Sequence, residues 1–259
     1  MSHPYEGEAL LDALESGEVR VAERAEDGTW TVHAWVKQAI LDVFKSSPVE
    51  AIGEARALWP FVDKRALPPR RFEAGDGVRL VPGGSSVRRG AHLGRGVICM
   101  PPMYVNVGAF VGAGSMVDSH ALVGSCAQVG ERVHVSAAAQ IGGVLEPVGA
   151  RPVIVEDDVL LGGNTGLYEG VLVRQGAVIA AGVVLTASSV VHDLVHEREL
   201  RGTRAAPLEI PARAVVVPGT RPATSAWARE RGLQVACALI VKYRDAKTDR
   251  ATALEDALR

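Results

Sequence analysis

The sequence predicts a mainly β protein: a parallel solenoid of very short strands, preceded by an α-helical domain and followed by a small strand-and-helix cap. Three observations carry this. An apolar residue stands at every sixth position through Val87, Leu93, Cys99, Val105, Val111, Val117, Val123, Val129, Val135 and Ile141, and again through Val155, Leu161, Leu167, Val173, Ile179, Leu185 and Val191. Two residues before each, the side chain is mostly small or β-branched, as at Ala91, Val97, Ala109, Ser115, Ala121, Val133, Val159 and Val171. The residue after is often Gly (94, 112, 124, 130, 142, 162), or Asn106 or Asp118. A period of six fits neither a helix nor an ordinary sandwich, and a fixed repeat determines the whole architecture. Alternate strand residues share a face, so the first two positions point inward together. The third holds residue types that tolerate a left-handed backbone or close a turn with their own side chain. Each hexad is then one strand and one corner, and three sides make a coil that stacks on the next at about 4.8 Å.

Residues 1–80 read as the helical domain. ALLDALESG stops at Gly17, and AWVKQAILDVFKSS forms a second apolar-periodic run,. The solenoid occupies 81–219 and is interrupted twice, by GGVLEPVGARP between Ile141 and Val155, where the count slips by two, and by HDLVHERELRGTRAAP over about 192–207. Loops that leave a rigid scaffold commonly carry function. Strand character resumes at IPARAVVVPG. The cap, 220–259, contains a strand in QVACALIVKYRDAKT and a terminal helix, TALEDALR, expected to cover the open end of the coil,.

Composition narrows the function. With 259 residues and 47% apolar content the chain has ample core,. A formal charge of −2 gives no electrostatic footprint for nucleic acid, and no Lys/Arg cluster suggests a membrane surface,. The first twenty residues lack a secretory pattern and no run is long enough to span a bilayer, which predicts a cytoplasmic protein,. Cys99, Cys126 and Cys237 lack paired or metal-ligand spacing and are expected to be free thiols; no metal is expected,.

DGTWTVHAWVKQAIL, GVRLVPGGSSVRRGAHL, PPMYVNVGAFVGAGSMVDSHALVGSCAQVGERVHVS, IGGVLEPVGARPVIVEDD and ALIVKYRDAKT together resemble tetrahydrodipicolinate N-succinyltransferase, a hexapeptide-repeat acyltransferase of the diaminopimelate and lysine route. The resemblance runs from about residue 27 to the C-terminus. It implies a left-handed β-helix, a homotrimer with active sites in grooves between neighbouring solenoids, and succinyl-CoA as acyl donor. Left-handedness opposes the usual crossover rule and comes from the resemblance alone.

By that resemblance, Asp118 of MVD is the candidate base. An amine is protonated near neutral pH and cannot attack a thioester until it loses that proton. Asp118 is also at a corner, where Asp is a natural turn former, and both roles are compatible. Arg79 of GVRLVP suits a dicarboxylate substrate. Asn106 and Glu169 are further substrate-side candidates, with a corner role and plain solvation as the alternatives. His120 stands where the best-known members have Trp; its ordinary pKa suits proton transfer, and a structural role is the alternative. Those members also carry an Arg-Ser-Glu run where this chain reads Asn164, Thr165 and Gly166, which removes a second carboxylate and leaves donor identity open. Backbone amides near Gly163, Asn164, Ala181 and Gly182 are candidates for CoA, with Lys242, Arg244 and Lys247 for its phosphates.

Three other readings compete. One keeps the fold and uses acetyl-CoA on the same or a related amino acid. Another is a zinc lyase resembling γ-class carbonic anhydrase, built on His120, His134, His192 and His196. The third is a non-catalytic scaffold.

Overall fold

A chain that turns a corner every six residues can satisfy its strand backbone only by lying against itself one turn later. The computed structural model, which describes residues 5–52, 61–203 and 206–245, does this. Each two-residue strand pairs in parallel with the third strand after it, so Val111 faces Val129 and Val117 faces Val135, eighteen residues on. Three faces result. The first holds Arg79–Leu80, Ile98–Cys99, Met116–Val117, His134–Val135, Leu160–Leu161 and Val178–Ile179. The second holds Ser86–Val87, Tyr104–Val105, Leu122–Val123, Gln140–Ile141, Gly166–Leu167 and Val184–Leu185. The third holds His92–Leu93, Phe110–Val111, Gln128–Val129, Ile154–Val155, Leu172–Val173 and Glu209–Ile210. The coil thus begins at Arg79, within the stretch assigned to the helical domain.

Every residue of the six-residue pattern is at most 8% exposed, and nearly all form one continuous core. Burying a Val or Leu side chain contributes about 1.5–3 kcal/mol, so the repeat is also the main source of stability.

The corners differ from expectation. Glycines directly after the inward residue do not have positive φ; the left-handed residue lies two places further on, at Gly114, His120 (φ 62), Cys126, Arg132 and Asn164 (φ 57). What excludes a side chain at Gly112 is the next turn: a Cβ there would lie 2.5 Å from the Gly130 carbonyl carbon and 2.7 Å from the Glu131 nitrogen. Stacking distance, not handedness, selects these glycines.

The interruptions also resolve differently. Ile141 and Val155 are fourteen residues apart but occupy consecutive faces, so the loop is eight residues inserted into one corner with no side missing. In the second, Val191 does not continue the coil. Val190–Asp193 leaves it, pairs antiparallel with Arg198–Arg201 and parallel with Gln234–Tyr243, while Glu209–Ile210 takes the third-face position. Gln234–Tyr243 pairs with the long strand Ala214–Pro222 across a turn containing helix Ala226–Glu230. Val191, Ala238 and Ile240 enter the core there, so strands close that end of the coil. TALEDALR and Lys247 lie outside the described residues.

Before the coil, helix Gly7–Ser16 ends at left-handed Gly17, whose N–H reaches Leu14 O at 3.2 Å, and helix Ala34–Ser46 follows. Two short hairpins accompany them, Ala22–Arg24 with Trp30–Val32 and Val49–Ile52 with Phe61–Lys64, which the helical reading missed. Leu10, Leu14 and Ile40 pack on Val107 and Cys126 at the edge between the second and third faces. Ala22, Trp30 and Val32 cover Ile154 and Leu172 on the third face. Among the described residues no helix is long and apolar enough to cross a membrane.

Candidate active site

The eighteen-residue turn sorts the predicted site residues onto edges. Between the first and second faces, successive corners are Asp118 to Ala121, Ser136 to Ala139, Gly162 to Thr165 and Ala180 to Val183. Asp118, His120, Gly163, Asn164, Ala181 and Gly182 therefore share one edge, which the N-terminal helices leave bare. His120, Asn164, Ala181 and Gly182 are exposed. Stacking hydrogen bonds join the corners: Ala138 N to Ser119 O at 2.8 Å, Asn164 N to Ala137 O and Gly182 N to Gly163 O, both at 3.0 Å.

Those bonds decide which amides are available. The N–H groups of Asn164 and Gly182 are spent within the stack, whereas those of Ala137, Gly163 and Ala181 have no hydrogen-bond partner among the described residues. They recur once per turn, about 4.8 Å apart, along an edge of Ala and Gly that lets a ligand approach the backbone. Ala137 was missed from sequence. Its signal is its place in the turn count, one turn after Ser119 and one turn before Gly163.

Asp118 closes its own corner, Oδ1 accepting the Ser119 N–H at 2.6 Å, and its second oxygen has no partner among the described residues. Asn106 performs the same closure for Val107 at 2.8 Å, and its Oδ1 also takes the Tyr104 hydroxyl at 3.2 Å and Arg88 at 3.4 Å. Arg88 in turn reaches Asp63 and lies over Phe44, so Asn106 is locked under the N-terminal layer. Glu169 is exposed and accepts the Ala187 N–H at 2.9 Å. Both Asn106 and Glu169 sit on the edge between the second and third faces. Roughly six extended residues, of the order of 15–20 Å, separate that edge from Asp118, so one chain does not bring them together.

Arg79 is exposed on the first turn of the first face, in register through Ile98 with Met116, two residues before Asp118. Lys242 faces Val215 at the far end of that face, 3.7 Å from Asp245. Arg244 is elsewhere: its guanidinium donates to the carbonyls of Asp158 at 3.0 Å and Gly176 at 3.1 Å, on the edge between the third and first faces. Thr165 is buried and its hydroxyl donates to Gly162 O at 2.9 Å, so its side chain is structural.

Both interruptions line a single cleft of about 1180 Å³ on the second-to-third edge, together with Trp30, Tyr168, Glu169 and Arg151. Its inserted loop is pinned from below by Lys37, a fully buried amine donating to Ala150 O at 2.7 Å, with its pKa lowered by burial. Arg151 is committed to the carbonyls of Gly170 and Pro207 and to Glu209.

The cysteines are free, and burial pushes the thiols of Cys99 and Cys126 up to about 12, which removes them as nucleophiles near neutral pH,. Among the described residues no group of three His, Cys, Asp or Glu side chains converges as a metal ion requires. His120 is on the first edge, His134 on the first face, and His192 and His196 in the closing hairpin.

Residues 8–45 match the family model described as tetrahydrodipicolinate N-succinyltransferase N-terminal, and 152–187 match that of the hexapeptide repeat of succinyl-transferase. The chain is 44% identical to the 2,3,4,5-tetrahydropyridine-2,6-dicarboxylate N-succinyltransferase of Nitrobacter hamburgensis over 96% of its own length and 87% of the relative's. It is 43% identical to that of Rhodopseudomonas palustris, over 97% and 88%. Among solved structures, a Campylobacter jejuni protein described as a candidate 2,3,4,5-tetrahydropyridine-2-carboxylate N-succinyltransferase superposes with a TM-score of 0.51 at 18% identity, covering 97% of this chain and 65% of the other. That likeness speaks to fold alone.

Proposed function

This chain belongs to the tetrahydrodipicolinate N-succinyltransferase family, and from that membership we propose that it transfers succinyl from succinyl-CoA to the amino group of ring-opened tetrahydrodipicolinate, in lysine and diaminopimelate biosynthesis. The observation that carries the reading is the bare first edge, where the unpartnered N–H groups of Ala137, Gly163 and Ala181 stand in one column beside that of Asp118. Pantetheine is an amide chain whose carbonyls need such donors, and one N–H of this kind is also what a tetrahedral oxyanion requires.

In this mechanism Asp118 accepts a proton from the acceptor's ammonium group. The freed amine attacks the thioester carbonyl, the C–N bond forms, and collapse of the tetrahedral adduct breaks the C–S bond. CoA departs as a thiolate that takes up a proton from solvent; with an ordinary thiol pKa of about 8.5 it needs no strong acid. Arg79 orients a carboxylate of the acceptor, and Lys242 lies where CoA phosphates would pass.

We further propose a left-handed β-helix acting as a homotrimer in the cytoplasm. Two features support the trimer. Exposed Glu169 stands 15–20 Å or so from Asp118, a separation that a second copy would bridge,. Outward-facing Met116, Leu160 and Val178 on the first face and Leu122 and Val184 on the second supply apolar surface for it, Val184 being 56% exposed,.

The test is CoA release from purified protein with tetrahydrodipicolinate, comparing succinyl-CoA with acetyl-CoA. The corner Gly162 to Thr165 bears no cation, which makes the donor comparison sharp. A large succinyl preference is expected; an acetyl preference or silence with both would refute the assignment.

A further inference from the structure

Tyr168 is unlike its neighbours in the turn. Its aromatic ring does not stand out from the corner but lies back along the second face, over two glycines. A Cβ on Gly142 would meet Tyr168 Cδ1 at 2.6 Å, and a Cβ on Gly166 would meet Cε2 at 2.6 Å and both Cζ and the hydroxyl at 3.2 Å. Gly142 occupies the same corner column as Tyr168 one turn earlier, whereas Gly166 is two residues nearer the bare edge. The ring therefore points from the second edge toward the first, with its hydroxyl above Gly166.

The hydroxyl has no hydrogen-bond partner among the described residues, although Tyr168 is half-buried and lines the cleft. A phenol set over bare backbone, with no protein partner and its oxygen reached by solvent in the cleft, is free to donate to a ligand that enters there,. The cation nearest along the cleft wall, Arg151, is engaged by Gly170, Pro207 and Glu209. The side-chain donors left between this cleft and the first edge are neutral: the Tyr168 hydroxyl and, on the first edge, the amide of exposed Asn164. Glu169, the acid next in sequence, is turned to the Ala187 N–H on the other edge.

We propose that the Tyr168 hydroxyl donates a hydrogen bond to a carboxylate of the bound substrate, and that Gly142 and Gly166 are side-chain-free in order to seat its ring. This rests on the acyltransferase reading above, in which carboxylates come from two sources, the succinyl group of the donor and the dicarboxylate acceptor. The chain has thereby placed a neutral donor on the spot where a side chain at position 166 would emerge.

Tyr168→Phe retains the ring, so the fold and melting temperature stay as in the wild type, while the donor is lost. Gly166→Ala retains the hydroxyl but pushes the ring aside. For each, KM and kcat are measured while varying succinyl-CoA and then tetrahydrodipicolinate, and the dissociation constant of each substrate alone is measured by calorimetry. A hydrogen bond to a charged acceptor is worth about tenfold or more in affinity. Tyr168→Phe should raise KM and Kd by that factor for the one substrate it holds, with kcat changing less, and Gly166→Ala should act on the same substrate. An effect on succinyl-CoA identifies the succinyl carboxylate, and an effect on tetrahydrodipicolinate identifies the acceptor's. Values within twofold of wild type for both substrates in Tyr168→Phe would overturn the proposal. Wild-type protein that binds but does not turn over succinyl-CoA would refute the function instead, and the two dissociation constants would still decide the role of Tyr168.

Discussion

Replacing Asp118 by Asn separates its observed role at the corner from the role of base proposed for it. As a turn former, Asp118 uses one oxygen, which accepts the Ser119 N–H at 2.6 Å. Asn106 shows that an amide does the same work at another corner, accepting the Val107 N–H at 2.8 Å. Exchanging a charged acceptor for a neutral one therefore costs the fold no more than about 1 kcal/mol. In the proposed mechanism the other oxygen is the base, and an amide cannot accept the ammonium proton at all. Loss of a general base lowers turnover by typically 10²–10⁴-fold. Asp118→Asn should thus melt within a few degrees of wild type at the same protein concentration and release CoA at least about a hundredfold more slowly at saturating substrates. Asp118→Ala removes the turn acceptor too and should lose about 1 kcal/mol more stability with a similar kcat. Near-normal kcat in Asp118→Asn would refute the assignment of the base. A stability loss in Asp118→Asn as large as in Asp118→Ala would refute the division of labour between the two oxygens.

Two further substitutions probe the fold. Gly112→Ala should cost about 2–4 kcal/mol in urea denaturation, because its methyl meets the Gly130 backbone at 2.5 Å and must prise two turns apart,; Gly114→Ala, left-handed at φ 68 but with its nearest obstacle at 3.6 Å, should cost only about 1–2 kcal/mol,. The reverse order would show that backbone handedness, not stacking distance, selects these glycines. At the closing hairpin, burial raises the Asp193 carboxyl, but hydrogen bonds from His196, Tyr243 and Arg198 outweigh it and hold the pKa well below the usual carboxylate range. A depressed carboxylate stabilises the fold fully above its unfolded value, about 4, and that stabilisation fades as pH falls below it. Melting temperature in wild type should therefore drop more steeply between pH 4 and pH 2 than in Asp193→Asn; parallel acid limbs would show that Asp193 is not the group responsible.

The coil was legible because its core residues are selected by one requirement, fitting inside a narrow triangle, that recurs at every side from Val87 to Leu185, on both sides of the inserted loop. Val191 obeys the same apolar spacing for a different reason, since it closes the end from a strand that has left the coil. Periodicity records inward-facing apolar character and does not record which sheet supplies the hydrogen bonds. Gly112 misled for a related reason: a glycine required by the turn above looks, in one dimension, like a glycine required by its own φ. The first edge was half legible. Resemblance names Asp118, Gly163 and Ala181 as candidates, but that they share an edge appears only when corners are counted in threes and the inserted loop is subtracted. Charge alone points Arg244 to the CoA phosphates, and charge says nothing about which of three edges a side chain reaches. The seat under Tyr168 joins Gly166, on the same turn, with Gly142, 26 residues back and one turn away, and no local motif marks it.

The inserted loop at residues 142–153 enters at a corner and returns the chain to the next face, leaving every later turn in phase. Length is therefore a free variable at the corners and a forbidden one along the sides. A corner can lengthen, shorten or exchange its loop and the remaining turns continue as before, whereas one residue added between Leu160 and Leu161 would send the core side chain outward and the surface one inward. Change in such a molecule is channelled into its three vertical seams, which are also where a ligand can meet it. Its rigidity and its capacity to acquire new specificities share one origin, a frame that carries no memory of what is hung on its corners.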